Sequence, residues 1–205
     1  MHIKQVVAAG KPLSEADSAI IMIHGRGADA AGILSMAEYL PVKEFAQLAP
    51  QATNHTWYPY SFLVPVEENE PWLSSAIQVL DEVVNDVVSA GIKKENLYFL
   101  GFSQGACLTL EYTARRANRY GGVIAFTGGL IGADIDTSNY GGDFNQTPIF
   151  IGSSDPDPHV PASRVLASAA ILRSMNAAVT DKIYKGMGHT ISEDEIQQVK
   201  KLMFA

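Results

Sequence analysis

The stretch Leu97-Tyr98-Phe99-Leu100-Gly101-Phe102-Ser103-Gln104-Gly105-Ala106 constrains this chain more than any other. Four apolar residues, two of them aromatic, suit a strand buried on both faces. The apolar run Ala106-Cys107-Leu108-Thr109-Leu110 suits a helix. Gly101-Phe102-Ser103-Gln104-Gly105 is left with only a sharp turn between them, the Gly-x-Ser-x-Gly pattern of a nucleophile elbow. A strand that turns at once into a helix crowds its backbone around the serine, which explains a glycine on either side. The turn would lift the serine oxygen to a helix N-terminus, where free N–H groups favour developing negative charge. The bare pattern arises by chance with a probability of roughly 0.07 in a chain of this size, so the strand and helix around it carry the inference.

The rest of the chain alternates in the same way. Ser18–Ile23, Phe45–Ala49, Gly122–Phe126, Pro148–Ile151 and Val179–Tyr184 read as strands, with Met1–Ala8 as an edge strand. Helical spacing is expected over Ala30–Leu40, Leu73–Ala90, Ala162–Met175 and Ser192–Phe204; the last opens on a Ser-x-x-Glu capping box at Ser192 and Glu195. Alternation of this kind predicts a mostly parallel central sheet with helices on both faces. The 205 residues are expected to form a single α/β domain, 1–205, and the Gly-rich connection at 128–147 is too short for a cap domain.

In such sheets ligands sit beyond the carboxyl ends of the strands. Four chemically equipped loops fall there: His24-Gly25-Arg26-Gly27-Ala28-Asp29, the Ser103 turn, the loop with Asp155 and Asp157, and Gly186-Met187-Gly188-His189. A serine needs a base, and the base needs a carboxylate to orient it, in the chain order Ser, acid, His. His189 is the candidate base, with His159 as a wall residue. Spacing does not separate Asp155 from Asp157. The backbone N–H groups of Gln104 and Arg26 are the candidate oxyanion donors. The side chain of Arg26 is either an attractor for an anionic group or a solvated loop arginine. His24 is expected to brace its own loop. Residues 51–72 are loop-like and aromatic, and form a lid, a pocket wall or a dimer contact; Trp57, Tyr58, Phe62 and Leu130 are expected to line an apolar pocket.

These residues resemble the phospholipase/carboxylesterase family of α/β-hydrolases, which includes acyl-protein thioesterases and small bacterial carboxylesterases. The likeness runs along nearly the whole chain. It is carried by Ile23-His24-Gly25-Arg26-Gly27, the Ser103 motif, Ala125-Phe126-Thr127-Gly128-Gly129-Leu130, Asp157-Pro158-His159-Val160-Pro161 and Gly186-Met187-Gly188-His189. The resemblance implies an α/β-hydrolase fold and a Ser103, Asp157, His189 triad, because the family's acid lies in an Asp-Pro-x-Val-Pro stretch. Asp155, in turn, is expected to cap its turn. Arg26 and Gly129, which stand where the thioesterases often carry an apolar residue and a large aromatic, bring the chain nearer the small bacterial esterases.

The implied activity is hydrolysis of a small-molecule ester or thioester without metal or organic cofactor. The alternative is a hydrolase fold that only binds, which the intact Ser103, Asp157, His189 set argues against. A formal charge of −7 argues against nucleic acid as a partner. No apolar run suits stable membrane insertion. A single cysteine, and an N-terminus without a signal-like apolar region, lead to an expectation of a cytoplasmic enzyme; a homodimer is left open.

Overall fold

The computed structural model describes residues 1–205. Its framework is one seven-stranded sheet in the order β1-β3-β2-β4-β5-β6-β7. The strands are β1 (Val6–Gly10), β2 (Ala19–Ile23), β3 (Ala46–Pro50), β4 (Leu97–Phe102), β5 (Gly122–Phe126), β6 (Pro148–Asp155) and β7 (Ala178–Lys185). Only β1 runs antiparallel, paired with β3; every other pairing is parallel. The helices are α1 (Ala30–Leu34), α2 (Trp72–Ser89), α3 (Gln104–Arg115), α4 (Ala162–Ser174) and α5 (Glu193–Met203).

The central strands are apolar without a break because alternate residues enter two cores. In β2, Ile21 and Ile23 pack into the layer that holds α2, α3 and α4. Ile20 and Met22 pack beneath α1 and α5. The same division separates Phe99 from Leu100 in β4 and Ile151 from Phe150 in β6. Helices on both faces leave no side of the parallel sheet to solvent.

Three expected elements differ, the first being the edge strand expected over Met1–Ala8, which begins only at Val6 and runs to Gly10. The helix expected over Ala30–Leu40 ends at Leu34 and tightens into a 3-10 turn over Ser35–Tyr39. Asp29 caps its start by accepting the Gly32 N–H, but the Ser35 hydroxyl donates back to the Gly32 carbonyl and competes with the regular ladder. Leu40, ahead of Pro41, is extended, as the proline ring demands. The strand expected to stop at Ile151 continues to Asp155, because β7 pairs with β6 along its full length, up to Asp155 opposite Lys185. Gly152-Ser153-Ser154 are therefore strand residues, and the acid loop begins higher above the sheet edge than its composition suggests.

Candidate active site

The Ser103 turn is built by backbone crowding. A Cβ on Gly101 would lie 2.3 Å from the Gly105 carbonyl oxygen, and one on Gly105 would lie 2.1 Å from that of Ile23. Neither distance admits a side chain, so β4 can pass under α3 only with glycine at both positions. Ser103 itself takes φ 54° and ψ −119°. A conformation of that kind costs on the order of 1–3 kcal/mol in a non-glycine residue and persists only where its surroundings enforce it. Here its N–H donates to the Phe126 carbonyl (3.0 Å), and its own carbonyl accepts from Cys107 in the first turn of α3.

Ser103 Oγ lies 2.8 Å from His189 Nε2, and His189 Nδ1 lies 2.9 Å from Asp157 Oδ2. The imidazole packs between the rings of Phe102 and His159, with centroids 5.3 and 5.0 Å away. The Asp157 carboxylate is buried, and its other oxygen accepts the backbone N–H groups of His159 and Val160, both at 2.8 Å. Burial opposes its ionisation. The bonds from His159, His189 and Val160 outweigh that cost and hold the carboxyl below its ordinary value.

Asp155, expected to cap the turn, is exposed, and a neighbour does that work. The buried Ser154 hydroxyl donates to the Pro156 carbonyl and accepts the Gly188 N–H (2.9 Å). It thereby ties the loop of Asp157 to the loop of His189. Nothing in the sequence marked Ser154, because its burial follows from the extension of β6 alongside β7.

The loop after β2 approaches the serine from the other side. The backbone N–H groups of Arg26 and Gln104 have no protein acceptor, and both residues line the cavity beside Ser103. Gly27 and Ala28 are already engaged, donating to His55 and Gly25. His24 braces the loop as expected. It is buried, its Nδ1–H donates to the Gly25 carbonyl and its Nε2 accepts the Ala52 N–H. Burial lowers its pKa, which suits a neutral ring with one donor and one acceptor.

The Arg26 side chain is exposed, yet it is tied down across the loop rather than free in solvent. Its guanidinium donates to Thr56 Oγ1, the Pro59 carbonyl and the Tyr60 carbonyl at 3.0, 2.8 and 2.7 Å. Sequence reasoning also missed the Gln104 side chain. It is buried, its Oε1 accepts the Trp57 N–H and its Nε2 donates to the Tyr58 carbonyl.

The cavity over Ser103 measures about 760 Å³ and includes Tyr58, Phe62, Leu63, Cys107, His159 and Val160 in its wall. Trp57 and Leu130, both expected there, are not part of the wall. Both are fully buried in the core behind it, Trp57 with its indole N–H donated to the His24 carbonyl and Leu130 with its N–H donated to Ser168 Oγ. Burial pushes the Cys107 thiol up to about 12, so it faces the cavity as a neutral, apolar group. No cluster of three His, Cys, Asp or Glu side chains is arranged to hold a metal. No helix is long and apolar enough to cross a membrane.

This arrangement of sheet, elbow and loops has relatives. The profile of the phospholipase/carboxylesterase family matches residues 2–204. The chain belongs to the phospholipase/carboxylesterase family. Like that family, it is a carboxylic ester hydrolase. The crystal structure of a phospholipase/carboxylesterase from Dyadobacter fermentans superposes with a TM-score of 0.98 at 54% identity, covering 100% of this chain and 98% of that one. Acyl-protein thioesterase 1 of Saccharomyces cerevisiae is 26% identical over 91% of this chain and 92% of its own length. A probable carboxylesterase, SOBER1-like, of Arabidopsis thaliana is 29% identical over 65% of this chain; that match spans 51% of the plant protein.

Proposed function

We propose that this esterase works through Ser103 as nucleophile, His189 as general base and Asp157 as the group that orients the imidazole. The hydrogen-bonded line from Ser103 Oγ through His189 to the buried Asp157 carboxylate carries the proposal. Asp157 accepts a hydrogen bond from Nδ1–H, which keeps the proton on Nδ1 and leaves the Nε2 lone pair facing the serine. The serine oxygen attacks the acyl carbon as its proton passes to Nε2. The tetrahedral oxyanion accepts the N–H groups of Arg26 and Gln104. His189, now protonated, returns the proton to the leaving alkoxide, and an acyl-serine remains. Water then repeats the sequence and releases the acid. A thioester carbonyl presents the same target, so the same site would cleave an acyl thioester. The wall of Tyr58, Phe62, Leu63 and Val160 offers a mainly apolar seat for the acyl or alcohol group.

The test is hydrolysis of p-nitrophenyl esters of increasing acyl length by wild type and Ser103→Ala, with acyl-thioesters as a second panel. Wild type is expected to be active and Ser103→Ala to lose several powers of ten in kcat, up to about 10⁶ as for other serine nucleophiles. Asp157→Asn is expected to lose about 10⁴ by favouring the wrong imidazole tautomer. A fluorophosphonate probe should label wild type and not Ser103→Ala. Equal activity in the two proteins would remove Ser103 from the mechanism, and a native protein that resists the probe would favour a binding role.

A further inference from the structure

The two residues whose backbone N–H groups are assigned to the oxyanion under the proposed mechanism come from different parts of the chain, one after β2 and one at the start of α3. Their side chains nevertheless seize the same short segment. Arg26 holds Thr56, Pro59 and Tyr60 through its guanidinium. Gln104 holds Trp57 and Tyr58 through its carboxamide, with Thr56 Oγ1 3.3 Å from its Oε1. Further bonds run the same way: Gly27 N–H to the His55 carbonyl at 2.7 Å, and the His55 ring to the Ala28 carbonyl at 2.8 Å. Tyr58 and the residues after it form one wall of the cavity.

From this double grip we infer that segment 56–60 is a splint across the oxyanion hole and that the side chains of Arg26 and Gln104 are positioning residues. The inference rests on the esterase mechanism above and adds roles to side chains whose backbones alone figure there. Two N–H groups on separate loops hold an oxyanion well only at a fixed separation. Covalent structure does not fix that separation: the strands that carry Arg26 and Gln104 are last paired at Ile23 and Gly101, and beyond them the two loops touch through backbone packing at Gly25 and Gly105. The splint closes the gap with five side-chain hydrogen bonds to one stretch, whose Tyr58 and Trp57 are fully buried. The same stretch carries the wall against which the acyl or alcohol group would rest. Movement of the wall and movement of the donors are therefore one motion, and a substrate that fits the wall finds the donors in place. Positional errors of about 1 Å at such a site can cost about 100-fold in rate.

The experiment compares Arg26→Ala, Gln104→Ala and the double variant with wild type and Ser103→Ala on p-nitrophenyl acetate and longer esters. Each substitution keeps its backbone N–H, so a loss reports on position and not on a deleted donor. Both single variants are expected to lose roughly tenfold to 100-fold in kcat, with KM for the acetate within about threefold. The pH profile should keep its midpoint because His189 is untouched. The double variant should lose much less than the product of the singles, since both side chains hold one segment. Arg26 is exposed, so its variant is expected to fold even if Gln104→Ala does not, and Arg26→Ala then decides alone through the kcat loss. Singles within twofold of wild type in kcat would overturn the inference while leaving the esterase mechanism standing, provided Ser103→Ala is inactive. Strictly multiplicative losses, or an Arg26→Ala effect confined to KM for anionic esters, would also overturn it. Wild type no faster than Ser103→Ala would take down the mechanism and the splint together.

Discussion

The elbow around Ser103 is fixed by contacts between backbones, whereas the wall segment across the cavity is fixed by polar side chains. At the elbow the deciding distances are those a missing Cβ would have, 2.3 Å at Gly101 and 2.1 Å at Gly105. In the wall, Asn69 accepts the Tyr60 N–H and donates to the Ser61 carbonyl, while Arg26 and Gln104 hold the residues before them. Two neutral histidines complete that side. His2 and His24 lie against the Trp57 ring at 5.4 and 5.1 Å, and each accepts a backbone N–H from the start of the segment, Thr53 and Ala52 respectively. Steric exclusion is all-or-none and insensitive to pH. Hydrogen bonding through side chains is graded, and where imidazoles take part it depends on protonation.

The largest effect should fall at the elbow. Gly105→Ala drives a methyl group into the Ile23 carbonyl, which no rotamer relieves, and is expected to cost more than about 4 kcal/mol by urea unfolding or to leave no folded protein. Wild-type stability in that variant would break the comparison. Asn69→Ala, on the wall side, leaves the Tyr60 N–H and the Ser61 carbonyl without partners and should cost about 1–3 kcal/mol with the fold kept.

Acid should then separate the two regions. Burial lowers the pKa of both His2 and His24, so the folded protein resists the protons that the unfolded chain accepts. Their contribution is fully present above the ordinary imidazole value of ~6.5 and is lost as pH falls through the window beneath it. Each proton bound only by the unfolded chain steepens the fall by up to about 1.4 kcal/mol per pH unit. Unfolding measured from about pH 7.5 to about pH 5 should show the decline, and His2→Gln should flatten it. Asp157, held below the ordinary carboxyl value, adds stability that is lost only at lower pH, as pH falls through that depressed value. An unchanged slope in His2→Gln would remove His2 from the clamp. The smallest effect is expected for Asp155→Ala, an exposed residue two positions from Asp157: within about 0.5 kcal/mol in stability and about twofold in kcat.

The legible parts of this molecule share one property: their causes are local. An apolar run between glycines marks a buried strand entering a tight turn wherever it occurs, so the strand order of types, the elbow and the four loops beyond the strand ends could be read directly. Of the boundaries that failed, the end of α1 has a local cause in Ser35 and Pro41, and the end of β6 a distant one. β6 extends to Asp155 because β7 pairs with it, and no residue within 148–155 announces that partner. Trp57 and Leu130 looked like pocket residues because aromatic and aliphatic side chains line pockets and cores alike; Phe62 looks no different and does line the cavity. Which ones face a cavity depends on where neighbouring elements leave space.

The sequence by itself determined the alternating architecture, the glycine-framed serine and the candidates for the site, because hydrophobic period and steric exclusion act between residues close along the chain. Tertiary structure alone decided how three polar side chains were used: Arg26 as a clamp, Gln104 as a tether and Ser154 as the tie between two loops; it also brings Asp157, the acid that the family resemblance implied and spacing left level with Asp155, to His189. A hydrogen bond forms with whatever acceptor the fold brings within about 3 Å. For these residues the deciding partners lie 30 or more positions away, and the chain must close before they meet.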